Sequence, residues 1–486
     1  MLWIALELPS LPLQLAERGS CSPTPLVIAD GAAQRPHVAC ANAAARGAGV
    51  REGVAVAAAK ALAGDLRILA RDPGLERAAL EDLAGWAAQF SPCVSVDGQG
   101  IALEVGTTLK LFGGMGKLSG TVRDGVRALG YRATLGIAPT PLAARVFARA
   151  EARGIRVRSC VAVGELGDRI AGLPLFLLDW PARSLALLAD LGILRFRDLI
   201  ALPREGLARR FGPQVVEDID KILGRLPDPR IPHVAPERFL ARLELAHETH
   251  SSEALLFPLR RLLVQMEGFL RGRGAGVMSL AVGLEPFRGA RTGLSLQFAS
   301  PEREAEFILA LAREKLARLR IAAPTLTVEL RADELVAFVP RSSTWLPGRE
   351  EQAIGCERLL QRLAARLGRE SVFGIALADD HRPGKDWAPA CAGVTSRSGE
   401  SGNPISGPRP FWLLLRAQRL VTEAGSPQLQ GRLELVSGPE RIESGWWDGM
   451  TVARDYHVAA NPRGETYWIF REHEDPSGWY VHGVFS

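Results

Sequence analysis

The sequence predicts an α+β multidomain chain, and three stretches carry that prediction. Phe90–Gly114, FSPCVSVDGQGIALEVGTTLKLFGG, reads as a strand, a glycine-rich turn around Gly98–Gly100, a second strand Ile101–Val105 and a closing loop. Residues 185–212 read as leucine-spaced helices joined by a tight turn at Leu191-Gly192-Ile193. The last 78 residues hold five of the ten Trp in short alternating runs between Gly and Pro turns, the pattern of a small antiparallel β domain. At 486 residues the chain has room for three or four domains, each with its own core.

Composition narrows the class. Apolar residues make up 47% and charged residues 23%, ordinary for a globular protein. The net charge of +5 and a pI near 9.0 are compatible with a nucleic-acid partner without requiring one. Six Cys are scattered with no C-x-x-C pair, which predicts free thiols in a reducing, cytoplasmic setting and no zinc site. The opening MLWIALELPSLPLQL has no basic leader region and is broken by prolines. It reads as a buried strand and not as a signal peptide, and no run reaches membrane-spanning length.

In chain order, Trp3–Leu8 is a strand ended by Pro9 and Pro12. On such a strand Glu7 faces away from Leu6 and Leu8. The Ala-rich run Val54–Ala63 and the segment Leu75–Ala88 are helices. After the hairpin come a helix Leu118–Leu129, a strand Ala133–Ile137 and a helix from Pro141. Leu199–Phe211 continues helically past the turn at Gly192. Pro227–Pro236 marks a domain boundary.

Residues 238–331 carry 14 Lys/Arg against 10 Asp/Glu, so a net +4 sits there. Helices Ala254–Arg271 and Pro301–Leu319 alternate with strands Val277–Leu284, Leu294–Phe298 and Thr325–Leu330 in a βαβ-like order. His247 and His250 lack further ligands for a metal. Cys356–Leu367 is an amphipathic helix, and Pro389–Pro408 is a Gly/Ser/Pro-rich insertion expected to be disordered.

Several of these stretches resemble Y-family translesion DNA polymerases. There the first strand ends in Asp-x-Asp, and an Asp-Glu pair stands before the apolar strand of the hairpin. Those carboxylates hold two Mg²⁺ ions between primer end and nucleotide. The matching positions here are Leu6 and Leu8, and Gln99 and Gly100. The aromatic steric gate is missing, with Ser10, Leu11 and Pro12 in its region. Asn42, Arg46, Gly49, Val50 and Gly53 match a run that grips the triphosphate, with Ala43 in place of its Tyr. Arg46 is therefore a candidate phosphate contact, its alternative being an ordinary surface residue. Ala138-Pro139-Thr140-Pro141 replaces a run whose Lys reaches the triphosphate.

The tail resembles that of ImuB-type proteins, polymerase-like members of a bacterial mutagenesis cassette. The resemblance lies in SGPERIESGWWDG (437–449), ARDYHVA (453–459) and WYVHGVF (479–485), with RLLQRLAARLG (358–368) and DDHRPGKDW (379–387) upstream.

The resemblance implies a right-hand layout: palm 1–30 and 80–165, fingers 31–79, helix-hairpin-helix thumb 166–231 and little finger 236–335. A clamp- or partner-binding linker and helix follow at 336–388, then the insertion 389–408 and the C-terminal β domain 409–486. It implies a catalytically inactive DNA-binding adaptor in SOS-induced mutagenesis, with no cofactor. Its implied partners are primer-template DNA, the sliding β-clamp, a RecA-like protein (ImuA) and an error-prone DnaE-type polymerase. Candidate DNA contacts are the turn at Gly192 with Arg204, Arg209 and Arg210, and Arg271 and Arg273. The clamp peptide of the family matches Arg341–Pro347, with Trp345 and Leu346 as its adjacent large apolar pair.

The alternative is an active translesion polymerase that binds Mg²⁺ through displaced carboxylates, Asp97 and Glu104 close together across the palm and joined by Glu7. Two-metal transfer needs ions about 3.5–4 Å apart sharing a carboxylate. A pure protein scaffold without DNA contact is a third class, disfavoured by the helical hairpin and the basic segment.

Overall fold

The chain opens with β1 (Trp3–Glu7), α1 (Leu11–Glu17), β2 (Leu26–Asp30), β3 (His37–Ala41), α2 (Ala43–Gly47), α3 (Val56–Leu62), β4 (Arg67–Ala70) and α4 (Pro73–Ala87). The hairpin β5 (Val94–Asp97) and β6 (Gly100–Glu104) follows, then α5 (Met115–Ala128), β7 (Thr134–Ala138) and α6 (Pro141–Ala152). This computed structural model describes residues 1–19, 24–32, 34–339, 349–368, 371–377, 380, 382–385, 387–390, 407–475 and 478–485. Trp345, Leu346 and most of the 389–408 insertion lie outside the described residues. There are two compact units, Met1–Arg366 and Leu367–Ser486.

β1 is buried at all five positions, since it is an inner strand of the antiparallel sheet β5-β6-β1-β7 and both sheet faces are covered. Ile4, Leu6 and Leu8 pack with Leu83, Trp86, Val122 and Val126 of α4 and α5. Trp3 and Ala5 pack with Ala144 and Phe147 of α6. Strand alternation places Glu7 on the α6 side. The β5–β6 loop is two residues long, and Gly98 takes φ +58, the left-handed geometry such loops favour.

A second, three-stranded sheet, β3-β2-β4, is covered by α2 and α3 on one face and α1 on the other. Leu26–Asp30 belongs to this sheet and not to that of β1, so the small sheet begins before residue 31.

Next come α7 (Leu166–Ala171), α8 (Ala182–Asp190), α9 (Phe196–Ile200), α10 (Arg204–Phe211) and α11 (Pro213–Ile222). The continuous helix expected over Leu199–Phe211 is broken. Pro203 has no N–H to continue the ladder, so α9 ends before it and α10 starts after it. The proline-rich linker then runs beside the outer edge of β5, where the His233 amide donates to the Val94 carbonyl at 2.6 Å.

β8 (Phe239–Thr249), α12 (Ser252–Gly272), β9 (Ala275–Pro286), β10 (Thr292–Glu302), α13 (Ala305–Arg318), β11 (Thr325–Ala332) and β12 (Leu335–Ala337) form the next layer pair. All pairings in the sheet are antiparallel, in the order β10-β9-β11-β8 with β12 beside β9, so the alternation is not a βαβ crossover series. α12 and α13 bury one face around Leu262, Met266 and Ile308. Strand β8 was not read from the sequence, although FLARLEL alternates buried and exposed positions strictly. Arg358 of α14 (Arg349–Leu367) pairs with Glu302 at 3.0 Å and Glu304 at 2.9 Å.

The C-terminal unit contains β13 (Gly374–Leu377), β14 (Trp387–Ala390), β15 (Trp412–Arg419), β16 (Val421–Glu423), β17 (Ser426–Gln428), β18 (Glu434–Ser444), β19 (Val452–Ala460), β20 (Thr466–Glu472) and β21 (Trp479–Val484). Its main sheet is antiparallel, β15-β21-β20-β19-β18. Tyr456 stacks on Trp468 at 4.0 Å, and its hydroxyl meets His482 Nδ1 at 2.8 Å. Trp468 and Trp479 are core residues, whereas Trp412, Trp446 and Trp447 are exposed. Arg382 ties the 380–385 segment to the turn before β19 by ion pairs to Asp380 and Asp448.

Candidate functional site

The end of β1 and the tip of the β5–β6 hairpin meet at one corner, because Glu7 and Gly100 are register partners. Leu6 and Leu8 point into the α4–α5 core with 2% and 1% exposure, so neither reaches this corner. Gln99 is exposed in the hairpin loop. Gly100 is buried, and a Cβ built on it would land on the Leu6 carbonyl oxygen, far inside van der Waals contact. A carboxylate at position 100 therefore has no room unless β1 and β6 part.

Two carboxylates do reach the corner, and guanidinium groups hold both. α6 presents Arg145 and Arg149 one turn apart, on the face packed against β1. Arg149 Nε donates to Glu7 at 3.1 Å, and Arg145 Nη1 meets Asp97 at 2.9 Å. Asp179, just before α8, accepts from Arg145 at 2.9 Å and from Arg149 at 3.1 Å. Arg230 of the linker bridges Asp97 and Asp228. Burial alone would raise the Asp179 pKa, but Arg149 and Arg145 hold it below the usual carboxylate range.

Glu104 is at the other end of the hairpin. It pairs with Trp3, and its Oε1 accepts from the amides of Leu2 at 3.2 Å and Gly106 at 3.1 Å. Four strand residues, about 13 Å, separate it from the Asp97–Gly100 rung. The expectation that Asp97 and Glu104 lie close together is thus corrected, since opposite ends of a short hairpin cannot share an ion. Glu7, Asp97 and the neighbouring Asp179 each have their oxygens engaged by Arg145 or Arg149. Among the described residues no three His, Cys, Asp or Glu side chains come together as a metal cage.

A cavity of about 1120 Å³ opens beside this corner, lined by Glu7, Ser10, Cys40, Arg71, Gln99 and Arg149 among others. Arg46 is not in its wall. It is exposed on α2 and donates to the Ala41 carbonyl at 2.8 Å, while Asn42 caps the helix by accepting from the Ala45 amide. Arg71 does line the cavity, held by Asp30 at 3.0 Å and Glu76 at 2.7 Å. Sequence reasoning missed Arg71, Arg145 and Arg149. The signal for the last two was present: arginines at i, i+4 separated by Val, Phe and Ala, on a helix whose other faces are mostly apolar, need acidic partners.

The candidate DNA contacts separate into two groups. Arg209 and Arg210 end α10, are exposed, and have no ion-pair partner among the described residues. Arg204 pairs with Asp220, Arg271 with Glu267 at 2.5 Å, and Arg273 donates to the carbonyls of Ala235 and Pro236 at 3.0 and 2.7 Å. Gly192 has φ +76, and its amide donates to Ala189 while that of Ile193 donates to Leu188. These amides close α8 in a Schellman-type cap and are engaged within the fold. No helix among the described residues is long and apolar enough to cross a membrane.

Comparison with known proteins gives the following. A family model described as the impB/mucB/samB family matches residues 14–149. Protein ImuB of Caulobacter vibrioides, from strains NA1000 / CB15N and ATCC 19089 / CIP 103742 / CB 15, is 27% identical over 474 residues, covering 90% of this chain and 100% of the relative. A crystal structure of DinB from Sulfolobus solfataricus matches with a TM-score of 0.39 and 15% identity, over 70% of this chain and 100% of that one. An insertion ternary complex of Dbh DNA polymerase matches with a TM-score of 0.40 and 15% identity, over 69% of this chain and 99% of that one.

Proposed function

We propose that the chain, similar to ImuB over 90% of its length, is an ImuB-type, polymerase-like protein that serves damage-induced translesion synthesis as a DNA-bound adaptor and adds no nucleotides itself. The observation that carries this reading is Gly100: the backbone of Leu6 fills the space a catalytic carboxylate would occupy. The ion pairs of Glu7 and Asp97 with arginines support it, because a guanidinium between two carboxylates competes with any cation for the same oxygens. DNA contact is assigned to the exposed arginines Arg209 and Arg210 and is independent of sequence. The sliding β-clamp, with Trp345 and Leu346 as its anchor, the RecA-like ImuA and a DnaE-type polymerase complete the assembly in this reading, the last supplying the synthesis.

The test is primer extension by the purified chain with Mg²⁺ or Mn²⁺, beside calorimetric titration of Mn²⁺. No extension and no stoichiometric metal binding are expected. Extension that disappears in Asp97→Ala or Glu7→Ala would overturn the reading and establish a working site built on those two carboxylates.

A further inference from the structure

The first unit contains a second large cleft, of about 800 Å³, between α1, β4 and α4 on one side and β8 on the other; it shares Pro12 and Glu76 with the cavity beside the corner. Its β8 wall is six consecutive residues, Leu240–Leu245, so the strand presents its edge and not a face. β8 is the terminal strand of its sheet, and β4 is the terminal strand of the small sheet opposite. Two sheet edges therefore border one gap.

Local geometry fixes which backbone groups of β8 look into it. The Ala246 amide donates to the Gly19 carbonyl at 3.2 Å, and a side chain on Gly19 would run into the Glu244 carbonyl oxygen. The backbone of Glu244 thus points outward. Since direction alternates along a strand, so do the N–H and C=O of Arg242 and Leu240. Among the described residues, Arg18-Gly19 covers the edge only at Glu244–Ala246. The stretch upstream is a short open ladder of about 13 Å from Leu240 to Glu244, and open edges are templates for another extended chain.

The walls specify the occupant. Leu75 and Leu240 stand exposed at 62% and 51% on the two sides and offer apolar contact. Five lining carboxylates, Asp72, Glu76, Asp82, Glu244 and Glu285, face three guanidiniums. Those three are Arg18, Arg67 and Arg242; Arg242 is paired with Glu329, Glu76 with Arg71 and Glu285 with Arg291, which leaves Asp72, Asp82 and Glu244 against Arg18 and Arg67. In a chain of net charge +5 this cleft is locally acidic, which repels phosphate and attracts cationic side chains. Asp82 is exposed on the cleft wall, and desolvation by the protein around it pushes its pKa up to about 6 against the pull of Gln265 and Arg18. A cation brought beside it relieves that cost.

We propose that this cleft binds an extended peptide of a partner protein, with lysine or arginine alternating with apolar residues, which adds as a strand to the open edge of β8 at Leu240–Glu244. Main-chain pairing supplies attachment, and the acidic walls select the sequence.

The test uses the intact chain and a short fluorescent peptide alternating Val and Lys, with a Val/Glu counterpart and an oligothymidylate as competitors, read by anisotropy. The Val/Lys peptide is expected to bind at least tenfold more tightly than the Val/Glu peptide. Leu240→Pro removes an outward N–H without touching the β8–β11 ladder, and should weaken binding at least tenfold, whereas Leu240→Ala should weaken it far less. Glu244→Lys should weaken it comparably, and this exposed site decides the matter if Leu240→Pro does not fold. Absence of Val/Lys binding, equal affinity for both peptides, or unchanged affinity in Leu240→Pro or Glu244→Lys would overturn the proposal. Displacement of the peptide by oligothymidylate, with tighter oligonucleotide binding in Glu244→Lys, would overturn it in favour of a nucleic-acid path.

Discussion

Position 100 shows how one missing Cβ decides what a site can hold. β1 and β6 approach so closely there that Gly100 serves packing, and any larger residue must displace the Leu6 carbonyl. Gly100→Asp is therefore expected to behave as an overpacked variant, losing about 1–3 kcal/mol, and to gain no Mn²⁺ binding by calorimetry. A variant with an unchanged melting midpoint and a new metal site would show that the strands yield. Alternation along β1 was enough to place Leu6 and Leu8 in the core and Glu7 opposite them, so this part of the corner was legible in the sequence. Which carboxylates the guanidiniums meet was not, because a helix taken alone does not reveal which strand its Arg145 and Arg149 will face.

At the scale of elements, turn residues were read well and long-range choices were not. Gly98 and Gly192 mark turns through a local backbone requirement, and both adopt positive φ. The strand β8 went unread because its Leu-Glu-Leu-Ala composition favours helix as readily as strand, and only pairing with β11 settles it. Basic residues were the least legible class, since charge alone does not tell a DNA contact from an internal strut. The two roles predict different variants. Replacing Arg209 and Arg210 by Gln should flatten the salt dependence of duplex binding by roughly one to two in the log–log slope and leave thermal stability intact. Arg273→Gln should leave that slope alone and lower the melting midpoint, because its guanidinium holds the Ala235 and Pro236 carbonyls. A slope change in Arg273→Gln, or none in the double variant, would reverse the assignment.

For the whole molecule, the division into two units predicts separable unfolding, and acid should act on the C-terminal one through its histidines. His482 sits among Tyr456, Trp468 and Phe470, and burial, with Arg454 nearby, pushes its pKa from 6.5 down to about 4. His457 in the same sheet is lowered too, by burial and by Arg471. Between these values and 6.5 the unfolded chain binds protons that the folded sheet refuses. Stability of the C-terminal unit is thus full above pH 6.5 and falls as pH drops toward about 4. Calorimetric scans at pH 7 and pH 5 should show the transition of that unit moving down, with His482→Phe largely removing the shift. A wild-type transition that does not move would refute the assignment. The ion pairs at the corner of the first unit have a consequence of another kind. Asp179 enters and Arg230 leaves the run of helices α8–α11, and both are fastened to Arg145 or its partner Asp97. A protease that nicks the exposed Leu191-Gly192 turn would accordingly sever the chain without releasing either piece, and the cut protein should run as one particle until denaturant separates its halves.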